Sequence, residues 1–154
     1  MTLTEFNHNR ETQLISMKSE KPLDKERFLR ILKVEGSQET FSVIRAFAEE
    51  MENQEYNHGQ LSKAQYMAHP YRVARRLIEQ FPAIDEPYIQ LALCHNIIEV
   101  SGITEDLSTY LGPDLIKHVT TLTVDRALQW EPAYKKIYYE EIAEEKITRI
   151  IKIF

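Results

Sequence analysis

Apolar residues in this chain recur at intervals of three and four, and its 154 residues include only four glycines, Gly36, Gly59, Gly102 and Gly112. The spacing is that of helices with one buried face, and so few turn residues cannot serve a chain of many short strands. An all-α fold is the expectation. At 43% hydrophobic and 28% charged residues the composition is globular, and a chain of this length forms one domain that buries about two thirds of its unfolded surface. The only cysteine is Cys94, which excludes an intrachain disulfide and a cysteine-rich zinc site and points to a reducing, cytoplasmic compartment. No run approaches the ~18 apolar residues of a membrane span, and the first ten residues lack the pattern of a signal peptide. The net charge of −5 argues against a broad electrostatic footprint for DNA, RNA or an anionic membrane. A local basic pocket for a small phosphate ligand is compatible with it.

Along the chain, residues 1–21 are polar and weakly periodic and read as a loose arm, leaving 22–154 as the helical domain. Leu23, Phe28, Ile31 and Leu32 mark a first helix stopped by Gly36, and Ser37 looks like the cap of a second that carries Phe41, Ile44, Phe47, Ala48 and Met51 inward. Residues 57–65 read as a loop. Pro70 is expected in the first turn of the next helix, with Val73, Leu77 and Phe81 inward and Arg72, Arg75 and Arg76 on the other side. Pro87 opens a helix apolar almost all round, through Leu91, Ala92, Leu93, Cys94, Ile97 and Ile98, which makes it the central buried helix. A short helix capped by Thr104 and another begun by Pro113 follow, then an acidic connection, 125–131, and one final helix whose isoleucine-rich end is a candidate surface for a homo-oligomer.

The central helix also carries His95, Asn96 and Glu99. On a continuous helix His95 and Glu99 share a face at i, i+4, with Asn96 about 100° round from His95. Buried imidazole, amide and carboxyl groups must be partnered, at roughly 1–3 kcal/mol for each left unpaired. An internal hydrogen-bond network would do this, and so would a metal ion.

The run Tyr66-Met67-Ala68-His69-Pro70-Tyr71-Arg72-Val73-Ala74, followed by Leu93-Cys94-His95-Asn96-Ile97-Ile98-Glu99, by Leu111-Gly112 and by Val119-Thr120-Thr121-Leu122-Thr123, resembles the HD-domain hydrolases of the RelA/SpoT type. The resemblance extends from about Phe47 to the end. It implies an HD-type helical bundle that holds a divalent metal, usually manganese, and removes pyrophosphate from the 3′ position of a guanosine polyphosphate, (p)ppGpp. By position His69 and His95 match metal histidines, Asn96 stands where the family has a metal aspartate, and Glu99 matches the acid that handles the attacking water. Lys63 and Arg72 are candidates to meet the nucleotide.

Three departures follow from the same alignment. Asn96 offers an amide oxygen in place of a carboxylate, which lowers affinity for a hard ion. Val100 replaces a second acid of the family. The run Ile150-Ile151-Lys152-Ile153-Phe154 matches one that in the family leads directly into an aspartate ligand, so the resemblance implies a ligand beyond Phe154. The expected activity is a weak or absent metal-dependent pyrophosphohydrolase, and the alternative is a non-catalytic HD-like domain that binds a nucleotide or a protein. Other residues have plainer readings: Asp125 as a solvated helix-end acid, Arg75 with Glu79 as an i, i+4 pair, His58 and His118 as surface groups, and Trp130, Tyr134, Tyr138 and Tyr139 as packing residues.

Overall fold

A computed structural model describes residues 23–55, 61–101 and 107–154. The arm at 1–21, His58 and the cap at Thr104 lie outside the described residues. Within them every regular element is a helix and none is a strand, as the three-and-four spacing requires. Helices α1 (Leu23–Glu35) and α2 (Gln38–Asn53) pack as neighbours. At the joint Gly36 is needed for space, because a Cβ there would lie 2.8 Å from the Leu32 carbonyl oxygen. Ser37 caps α2, its side chain accepting from Thr40 N, in agreement with the sequence reading.

Helix α3 (Lys63–Gln80) starts a full two turns earlier than Pro70 led one to expect. Ser62 and Gln65 form a capping box: Ser62 Oγ accepts from Gln65 N at 3.2 Å, and Ser62 N donates to Gln65 Oε1 at 3.0 Å. Two N-terminal donors are thereby satisfied, which fixes the start of the helix more strongly than a proline's preference for the first turn. Pro70 is consequently inside the helix, where it has no N–H to offer the preceding turn. Lys63, expected in a loop, is the first helical residue, and Phe81, expected inward, is the C-terminal cap and 37% exposed.

Helix α4 (Glu86–Cys94) is the centre of the bundle, in contact with α2, α3 and α7 (Pro113–Leu122). Leu91, Leu93 and Cys94 are buried to 1% or less. It does not continue to Ile98 as expected: His95 and Asn96 form a turn, and α5 (Ile97–Ser101) begins after it. The His95 ring reaches back so that Nδ1 lies 2.7 Å from the Ala92 carbonyl. A side chain thereby satisfies one of the carbonyls left unpaired at a helix end. The single helical face on which His95 and Glu99 were to lie is broken at this turn.

Helices α6 (Leu107–Tyr110) and α5 both rest on α7. The expected single C-terminal helix is two, α8 (Pro132–Glu144) and α9 (Lys146–Ile153), with Glu145 extended between them at φ −110° and ψ 132°. Thr148, fully buried, holds this bend: its Oγ1 lies 2.7 Å from Ile142 O and 2.9 Å from Glu145 O. The bend lets Tyr138 and Ile142 on one side of it and Ile151 on the other join one core with Phe28, Ile44, Tyr71 and Leu91. No helix among the described residues is long and apolar enough to cross a membrane.

Candidate functional site

His69 lies in the second turn of α3, and the turn after α4 presents His95. The two rings meet edge to face with centroids 5.3 Å apart and planes at 71°, so two residues separated in sequence by the rest of α3, a loop and the whole of α4 are brought together. Because a carbonyl only accepts, the bond to Ala92 O places the His95 proton on Nδ1 and leaves Nε2 with its lone pair. Burial lowers His69 to about 3, helped by the positive charges of His95, Arg72, Lys152 and Arg76. It also lowers His95 to about 4, the Ala92 bond opposing and Lys152 assisting. Both imidazoles are therefore neutral at physiological pH.

Arg72 and Arg76 follow His69 at i+3 and i+7 and so share its side of α3. Lys152 comes from α9, where its Nζ donates to Tyr138 Oη at 3.0 Å, and Tyr138 in turn donates to Leu122 O at 2.9 Å. Tyr138 keeps its proton, since burial and the neighbouring Glu99 push its pKa well above the usual tyrosine value. Lys152 is a member of this site that sequence reasoning did not single out. Its signal was the apolar run around it, which was read only as a pointer to a ligand further on.

Glu99 carries a different set of contacts from those of a water-handling acid. Its Oε1 accepts from Val124 N and its Oε2 from Arg126 Nη2, both at 2.8 Å, and its side chain is 9% exposed. It therefore ties the connection after α7 to α5. Arg126, the partner, was not foreseen, because a bond across 27 residues leaves no local signature. Asn96 is half-buried in the turn beside His95, and Val100 is buried, whereas Lys63 is exposed at the start of α3. Asp125 is exposed after the end of α7, as expected of a solvated helix-end acid, its Oδ1 accepting from Ala127 N at 2.8 Å, and Arg75 pairs with Glu79 at 2.9 Å.

A manganese-type ion prefers an octahedral shell rich in oxygen ligands. No group of three or more His, Cys, Asp or Glu placed to hold a metal occurs among the described residues. Cys94 is completely buried, which raises its thiol far above the usual range, and its Sγ donates to the Leu91 carbonyl at 3.8 Å. Comparison with protein-family models, with curated proteins and with solved structures found no match to this chain.

Proposed function

We propose that this domain binds a guanosine polyphosphate or a related nucleotide at the His69–His95 pair, and that metal-dependent pyrophosphohydrolysis by it is weak or absent. One observation carries the reading: the charges acting on His69 beyond its histidine neighbour, from Arg72, Lys152 and Arg76, are all positive. Such surroundings favour a phosphate chain and disfavour a bare divalent cation. The two neutral imidazoles can donate or accept hydrogen bonds, and Arg72 can grip a phosphate in the bidentate manner open to a guanidinium. Were manganese bound, His69 and His95 would hold it, and its chemistry would be to activate water. Glu99, already engaged by Val124 N–H and Arg126, is poorly placed to share in that work.

The test is calorimetric titration of guanosine tetraphosphate into the protein in EDTA and again with manganese, alongside an assay of pyrophosphate release. Saturable binding in EDTA is expected, weakened about tenfold or more in Arg72→Ala through loss of a charge-assisted contact, with little release under either condition. No binding in either buffer would sink the reading. Brisk manganese-dependent release would replace it with the enzyme reading.

A further inference from the structure

The sequence of α8 is antisymmetric in charge about Tyr138: Lys135 and Lys136 precede Ile137, and Glu140 and Glu141 follow Tyr139. Tyr138 and Ile142 face the core, so the opposite side of the helix is turned outward. At 100° per residue its midline is the Lys136–Glu140 ridge, flanked by Ile137 on one side and Tyr139 on the other. The Lys136 and Glu140 side chains are 76% and 64% exposed, and Ile137 and Tyr139 are 56% and 55% exposed. Large apolar groups left this open beside complementary charges are the composition of a contact surface. At the isoleucine-rich end, where the sequence placed self-association, Ile147 and Ile150 are partly buried against the core and Ile151 is inside it, whereas Ile153 is 78% exposed.

We propose that the outward face of α8 docks on the same face of a second copy of this chain, the two helices antiparallel about a twofold axis at the level of Tyr138. That symmetry sets Lys136 against Glu140 of the partner subunit, and Glu140 against the partner's Lys136. Ile137 then meets its own symmetry mate on one side of the ridge, and Tyr139 meets its mate on the other, as an isologous interface requires. A parallel pairing is excluded by the same pattern, because it would oppose lysine to lysine and glutamate to glutamate. Little is lost inside each chain on docking: Lys136 Nζ and Glu140 Oε1 stand 3.9 Å apart, a loose and exposed pair. The helix has 13 residues and is therefore about 20 Å long, so the contact is short and the dimer dissociates on dilution. This inference is independent of the nucleotide reading.

Charge reversal tests it. Sedimentation velocity over a concentration series is run on the wild-type chain, on Lys136→Glu, on Glu140→Lys, and on an equimolar mixture of the two variants. Both positions are on the surface, and circular dichroism confirms that the variants are folded. The expected result is reversible dimerisation of the wild type, at least a tenfold rise in dissociation constant for each single variant, and recovery in the mixture. The mixture recovers because an all-acidic ridge then meets an all-basic one. A wild type that stays monomeric up to millimolar chain overturns the proposal, as do single variants that associate like the wild type or a mixture that does not associate.

Discussion

Burial lowers the His69 imidazole to about 3 and His95 to about 4, whereas the same groups in an unfolded chain titrate near 6.5. Between those values the unfolded state binds more protons than the folded one, so stability falls as pH drops through 6.5 and levels off only near the folded values. The limiting slope is about 1.4 kcal/mol per pH unit for each histidine. Thermal melts at pH 7, 6 and 5 should show a decline that His95→Gln makes shallower, since glutamine does not titrate. Melts that give the same slope in the variant would show that His95 is already solvated and chargeable. Neutral rings beside Arg72, Arg76 and Lys152 keep hydrogen-bonding capacity without adding to the positive charge there.

At the level of the element, α3 shows how local chemistry sets a boundary that controls a site. The capping box of Ser62 and Gln65 fixes where the helix begins, and hence the rotation that brings His69, Arg72 and Arg76 to one side. Ser62→Ala removes an acceptor for the Gln65 N–H and should cost about 1 kcal/mol. Chemical denaturation would register that as a lower midpoint with an unchanged slope. A midpoint equal to the wild type would mean that packing of Tyr66, Met67 and Tyr71 holds the start of α3 without the cap. The middle of the same helix is tied separately: Tyr71 donates to Glu52 Oε1 at 2.5 Å, and Lys25 donates to Glu52 Oε2 at 2.9 Å. Three helices, α1, α2 and α3, are joined through that one carboxylate.

Across the whole molecule, Glu99 does the equivalent work for the second half. It fastens the segment after α7 to α5, and Tyr138 links α8 to the end of α7 through Leu122 O. Glu99→Gln keeps the shape, but it can supply only one carbonyl oxygen where two oxygens now accept, and it removes the charge that faces Arg126. The amide of Val124 should then exchange with deuterium faster, by about tenfold or more if roughly 1.5–3 kcal/mol of charged hydrogen bonding is lost locally. Protection at Leu91 and Leu93 in the core should not change. Unaltered exchange at Val124 would show that Glu99 does not hold this segment.

Helical class, the identity of the central helix and the caps at Ser37 and Gly36 were legible in the sequence, because each depends on residues within a turn or two of one another. The pairing of His69 with His95 was legible only through the resemblance. Spacing along the chain does not say which helix ends meet. What the sequence misplaced lay at junctions. Pro70 drew the start of α3 too late, the break at His95 was hidden in an apolar run that reads as one helix, and the bend at Glu145 depends on a threonine hydroxyl. The contact of Glu99 with Arg126 had no signal, and that of Lys152 with Tyr138 had none beyond the apolar run around the lysine, since a hydrogen bond between groups far apart in the chain forms only after packing has chosen the neighbours. Local periodicity and capping chemistry determined the elements of this protein, and tertiary packing alone decided which polar groups those elements bring face to face.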